Sequence, residues 1–150
     1  MKIGRAGEAS VVVIDASVAV EFLVQLRHTA HADLLFGELG EAESTLQLWA
    51  PDLLFPESAS ALRKLVRLRA ITTAAAATAV DRLGRLPVAT TGTAALLADA
   101  WEMRNNVTIY DACYLALAKR LDAPFVTADE RLVSSRRGKG AQVVSLVEIG

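Results

Sequence analysis

Val11-Val12-Val13-Ile14-Asp15 is the segment that decides the fold, because four β-branched residues in a row run directly into a carboxylate. An uninterrupted β-branched run is typical of a strand buried on both faces, as in a parallel sheet covered by helices. Ser17 follows in the position of a helix cap, so we expect a helix from there to about Leu26. The segment therefore predicts a buried strand, a carboxylate at its carboxyl end, and a helix.

The rest of the chain repeats this alternation of strands and helices. We expect further short strands at 46–49, 88–89, 124–127 and 142–146. We expect further helices at 29–39, from Pro51 or Pro56 to Arg69, and at 72–86, 93–104 and 110–121. The pattern predicts an α/β fold, a three-layer α/β/α sandwich with a mainly parallel central sheet.

Composition favours one compact domain in a reducing compartment. Of the 150 residues, 53% are hydrophobic, which is enough for a substantial core. The 16 basic and 17 acidic residues nearly balance, so any surface that binds nucleic acid must be local. The single cysteine, Cys113, excludes an intramolecular disulfide and a multi-cysteine zinc site. We expect a cytoplasmic protein without a membrane span, with a short flexible leader at 1–10 and one domain at 11–150.

Four acidic residues are expected to meet at the carboxyl edge of this sheet. Asp15 ends the first strand and Asp129 follows the strand at 124–127, while Glu57 and Asp111 lie near helix starts. Ligands of open parallel sheets collect at that edge, and helix N-termini stabilise negative charge. Each acid alone is more often a helix cap or a turn former. Gathered together, carboxylates about 4 Å apart repel by roughly 4 kcal/mol at an effective dielectric of 20, which favours a bound cation.

The type of ligand indicates the type of metal and the chemistry. Oxygen ligands without a His or Cys pairing suit Mg²⁺ or Mn²⁺ better than Zn²⁺. A hard cation held by a few carboxylates keeps coordination sites for water and phosphate oxygens, an arrangement that hydrolyses phosphodiesters. The acids therefore predict a metal-dependent phosphodiesterase.

Four segments of the chain resemble the PIN-domain family, and within it the VapC toxins of bacterial toxin–antitoxin pairs. The segments are VVIDAS at 12–17, APDLLFPE at 50–57, YDACYLALA at 110–118 and FVTADERL at 125–132. Together they span essentially the whole chain from residue 11 onward. Asp111 and Asp129, eighteen residues apart, bracket a helix and a strand as in that family.

This resemblance implies a Mg²⁺- or Mn²⁺-dependent endoribonuclease of PIN-like fold. Its acidic quartet of catalytic and metal-binding residues would be Asp15, Glu57, Asp111 and Asp129. Ser17 and Thr127 would be second-rank polar residues beside the metal. The resemblance also implies a homodimer, an RNA substrate, and a cognate VapB-type antitoxin that occupies the groove and suppresses cleavage.

Residues around the quartet allow further interpretations. Arg63 and Arg67, one turn apart on the helix after Glu57, are the first candidates to bind RNA phosphates, although a solvated helix face explains most basic residues here. Four aromatic residues are able to stack on bases, although packing in the core or an interface is the preferred interpretation. They are Trp49, Trp101, Tyr110 and Tyr114.

Two other functions stay open at this point. A PIN-fold nuclease of housekeeping RNA processing would keep the same fold and the same metal. A non-catalytic metal-binding interaction domain, such as a receiver-like domain, is a different class of protein. Receiver domains carry a lysine after the last strand, and residues 143–149 contain none.

Overall fold

The computed structural model describes residues 9–150, and these contain one parallel sheet. Its order is β3-β2-β1-β4-β5, and each pair of neighbouring strands is parallel. The strands are β1 Ser10–Ile14, β2 Leu46–Pro51, β3 Val88–Thr91, β4 Phe125–Thr127 and β5 Val143–Ser145. The predicted parallel sheet is confirmed, with β1 at its centre. The predicted leader falls mainly on residues 1–8, outside the described residues, and stays a prediction.

Helices connect these strands in the described part of the chain. The α-helices are α1 Ala16–Leu23, α2 Thr29–Glu38, α3 Leu54–Arg67, α4 Thr73–Leu83, α5 Leu97–Glu102, α6 Ile109–Arg120 and α7 Glu130–Arg136. Short 3₁₀ turns at Thr93–Leu96 and Leu146–Glu148 complete the order. The predicted helix at 93–104 thus begins as a 3₁₀ turn, and α7 is a helix that the sequence did not predict. Within residues 9–150, no helix is both long and apolar enough to cross a membrane.

Helices cover both faces of the sheet, which explains the unbroken apolar run of β1. Val13 packs in a core cluster with Leu115 of α6, and Val12 and Ile14 pack on the opposite face with Leu35 of α2. A third cluster joins α1, α3 and α4 beside the sheet. Successive side chains of a strand point to opposite faces, so a strand covered twice needs apolar residues throughout. The three-layer α/β/α prediction is confirmed.

Two helix starts differ from the sequence prediction. Asp15, and not Ser17, caps α1, because its carboxylate accepts the backbone N–H groups of Ser17 and Val18. Helix α3 begins at Leu54, between the two predicted starts. Pro56 therefore lies in the first turn, where a backbone N–H has no partner within the helix and its loss costs little.

Candidate active site

Each of the four predicted acids lies at a helix N-terminus. Asp15 and Asp129 are the N-cap residues of α1 and α7, and Glu57 and Asp111 lie in the first turns of α3 and α6. The partial positive charge of a helix N-terminus stabilises a carboxylate placed there. The sequence predicted the positions of all four acids from strand ends and helix starts, but it missed the helix that Asp129 caps. The Asp–Glu–Arg–Leu run at 129–132 is the signal that indicates it.

Hydroxyl groups fix Asp15 from two directions. Ser17 Oγ donates to Asp15 Oδ1 at 2.5 Å, and Thr127 Oγ1 donates to Asp15 Oδ2 at 2.6 Å. The same hydroxyls accept backbone N–H groups from the loop after β4, those of Ala128 and Asp129, at 2.9 and 3.1 Å. Through these hydrogen bonds, Ser17 and Thr127 link Asp15 to the loop that carries Asp129.

Burial makes the ionisation of Asp15 unfavourable despite these hydrogen bonds. The side chain is only 8% exposed. Burial raises its pKa from 3.8 to about 6, the hydrogen bonds from Ser17, Thr127 and Val18 oppose this rise, and the charge of Asp111 adds to it. Because an ionised carboxylate here lacks much of its water, a positive charge nearby would stabilise it.

Asp111 is the acid of the quartet whose charge interacts with each of the other three. Burial and then the charge of Asp129 raise the pKa of Asp111. The charge of Asp111 in turn raises the pKa of Asp15 and of Glu57, whose pKa is raised first by burial. Each of the other three acids is thus close enough to Asp111 for the charges to interact.

The four acids are oxygen donors, the type of ligand that hard divalent cations prefer. In residues 9–150 the ion pairs are Arg85–Asp81 and Arg120–Asp99, and neither contains a quartet acid. The quartet is therefore a group of oxygen donors without a cationic side-chain partner in the described chain. In the same residues, no three His, Cys, Asp or Glu side chains lie close enough together to hold an ion as they stand. Repulsion between uncompensated carboxylates opposes closer approach.

Tyr114 contacts the quartet in a way that the sequence analysis missed. Its Oη donates to Glu57 Oε1 at 2.6 Å, while its ring is buried and stacked on Phe125 with centroids 5.6 Å apart. Burial, and then the hydrogen bond and charge of Glu57, raise the pKa of Tyr114. The phenol consequently stays protonated near neutral pH and continues to donate to Glu57.

Glu57 is a predicted metal ligand, so we expect Tyr114→Phe to weaken Mn²⁺ binding by roughly 10- to 100-fold, the usual cost of removing a hydrogen bond that orients such a ligand. The ring and its stacking on Phe125 are retained, so the fold should persist. Titration calorimetry with Mn²⁺ measures the dissociation constant directly. Tyr110→Phe, which removes an exposed hydroxyl from the same helix, is the matched control. Equal Mn²⁺ affinity in wild type and Tyr114→Phe would show that the hydroxyl does not position Glu57.

Within residues 9–150, two of the cavities adjoin the acids, and both carry basic side chains. The larger, of about 980 Å³, we call the basic groove; its lining includes Glu57, Arg63, Lys64, Arg67 and Tyr110. The second, of about 560 Å³, is lined partly by Asp111, Asp129, Arg104 and Arg131. Tyr110 and Asp111 are consecutive residues, so the two cavities neighbour one another. The predicted phosphate-binding residues Arg63 and Arg67 thus share a groove with Glu57.

The family model and similar curated proteins point to the same family. The PIN domain family model matches residues 12–137, a span that includes all four acids. Ribonuclease VapC1 of Mycobacterium tuberculosis is 38% identical over 124 residues, which cover 82% of this chain and 89% of that protein.

Solved structures share the fold. PAE2754 from Pyrobaculum aerophilum has a TM-score of 0.60 and 25% identity, over 92% of this chain and 95% of its own. VapBC2 from Rickettsia felis, solved bound to a DNA fragment from their promoter, has a TM-score of 0.61 and 10% identity, over 90% of this chain and 98% of its own. At 10% identity, the similarity to VapBC2 shows a shared fold and nothing more.

Proposed function

Because this chain belongs to the PIN domain family, with VapC ribonucleases among its relatives, we propose that it is a metal-dependent endoribonuclease and the toxin of a VapBC toxin–antitoxin pair. In addition to family membership, one structural observation supports the proposal. Four acids lie at four helix N-termini, where Asp111 interacts with each of the others, and none has a cationic side-chain partner in residues 9–150.

Asp15, Glu57, Asp111 and Asp129 are the residues that would hold Mg²⁺ or Mn²⁺. Bound there, the ion would lower the pKa of a water and offset negative charge on the phosphate. Asp15 is already held by Ser17 and Thr127, so little ordering is needed at that ligand. Arg63 and Arg67 would bind the phosphates beside the scissile bond, which keeps the RNA in the basic groove next to Glu57.

The proposal also includes partners. We infer a homodimer and a VapB-type antitoxin, supported by apolar side chains that the described chain leaves in solvent, among them Leu34, Leu68 and Leu97. The protein would act in the cytoplasm, where its RNA substrate lies. Size-exclusion chromatography with light scattering measures the mass of the protein alone and with its antitoxin.

The direct test is cleavage of RNA by the purified protein. We expect cutting with Mg²⁺ or Mn²⁺, loss of cutting in EDTA, and its return when Mn²⁺ is added in excess. Sequencing the 5′ ends of the fragments identifies the cut sites, and single-stranded DNA of the same sequence is the substrate control. Cleavage that persists in EDTA at the same sites would contradict a metal-dependent mechanism.

Growth separates a toxin from a housekeeping nuclease. Expression of the chain alone should arrest growth, and co-expression of the product of a neighbouring small gene should relieve the arrest. A chain that cuts RNA in vitro but leaves growth unchanged would favour RNA processing.

A further inference from the structure

Tyr110 leaves most of its ring in solvent at the edge of the acidic site. The side chain is 60% exposed, whereas Tyr114, about one turn further along α6, is buried. Among residues 9–150, no other aromatic ring or cationic group stacks on it. An aromatic ring with open faces is available for a ligand.

Tyr110 lies beside both the carboxylates and the basic side chains. It immediately precedes Asp111 and lines the basic groove together with Glu57, Arg63 and Arg67. A strand of RNA whose scissile phosphate lies at the acids, and whose next phosphates lie at the arginines, would pass this ring.

Proteins commonly hold single-stranded RNA by stacking unpaired bases on aromatic side chains, and every base offers a face for this contact. We propose that Tyr110 is the stacking platform for one nucleobase of the RNA, adjacent to the phosphodiester that is cut. The proposal rests on the proposed ribonuclease function and adds to it a binding residue that selects an unpaired base at the cut site.

Among residues 9–150, Trp101 is the other exposed aromatic side chain, and its surroundings are different. Its ring is 57% exposed and lies in an apolar cavity that contains no quartet acid. The guanidinium of Arg104 covers one face, 4.9 Å from the ring centroid. Trp101 therefore serves as the matched control. Its side chain is exposed to a similar extent, but its cavity contains no quartet acid and one face of its ring is already covered.

The test compares Tyr110→Ala, Tyr110→Phe and Trp101→Ala in cleavage of a short single-stranded RNA that contains the mapped cut site. We expect Tyr110→Ala to raise KM by roughly 5- to 150-fold, the usual effect of losing one stacked base, with a smaller change in kcat. Tyr110→Phe keeps the ring and should retain wild-type KM. Trp101→Ala should also retain it.

A substrate with a single abasic residue beside the cut site identifies the contact as stacking. For wild type, the abasic substrate should lose as much affinity as Tyr110→Ala loses with intact RNA, and the two losses should not add. Additive losses, or a wild-type KM for Tyr110→Ala, would overturn the stacking proposal while RNA cleavage stands. A Tyr110→Ala variant that cuts normally but no longer binds its antitoxin would likewise assign the ring to a protein partner. Absence of metal-dependent cleavage by wild type would instead overturn the proposed function itself.

Discussion

Replacing Asp111 by Asn should lower the rate of RNA cleavage by more than roughly 100-fold and leave the fold intact. Asp111 is the acid whose charge interacts with each of the other three, so its loss weakens the whole ion site. Removing a group that merely orients a metal ligand costs about 10- to 100-fold in affinity or activity, and removing a ligand should cost more. Asn is nearly isosteric with Asp, and the backbone N–H of residue 111 still donates to Thr108 Oγ1.

The same substitution should not destabilise the metal-free protein. It removes a partly buried charge that is repelled by Asp129, so urea unfolding in EDTA should give a free energy at least equal to that of wild type. Asp122→Asn is the matched control, because Asp122 is exposed at the far end of α6 and has a positive φ of 47° that Asn tolerates. If Asp111→Asn cleaves RNA at the same rate as the Asp122→Asn control, Asp111 is not part of the metal site.

The sequence predicted the sheet and the approximate location of the acids because both depend on local patterns. The β-branched run before Asp15 requires burial on both faces, and parallel strands bring their carboxyl ends to one edge. Asp15 and Asp129 follow strands that are neighbours in the sheet, β1 and β4. Their placement at the same edge of the sheet therefore follows from its topology.

Contacts between distant segments were not predictable in this way. Tyr114 and Glu57 are 57 residues apart, and their hydrogen bond requires the packing of α6 against the start of α3. The start of α3 itself depends on a distant contact, because Asp52 Oδ1 accepts both the backbone N–H and the hydroxyl of Thr93. Asp52 is thereby held outside α3, so the helix does not begin at Pro51, the first of the two predicted starts. Such contacts are set by tertiary geometry, which overrides local propensity.

Without metal, the free energy of unfolding should fall as the pH rises from about 4 to 7, owing to Asp15. Burial raises the pKa of Asp15 in the folded chain to about 6, from an ordinary value of 3.8. The folded chain therefore binds this proton more tightly than the unfolded chain. The resulting stability is complete below the unfolded pKa and is lost as the pH rises through the folded pKa. The shift corresponds to about 3 kcal/mol.

Comparison with Asp15→Asn isolates this contribution from other titrations. The amide carries no charge, and its oxygen can still accept the backbone N–H groups of Ser17 and Val18. In EDTA, the unfolding free energy of wild type minus that of Asp15→Asn, measured with urea at each pH, should fall by about 2 kcal/mol between pH 4 and 7, because part of the shift is already lost at pH 4. Saturating Mn²⁺ should reverse this trend, because the ion binds the ionised carboxylate and stabilises wild type increasingly as the pH rises. A difference that is the same at pH 4 and pH 7 in EDTA would mean that Asp15 ionises without cost, and the electrostatic reason for a cation at this site would be lost.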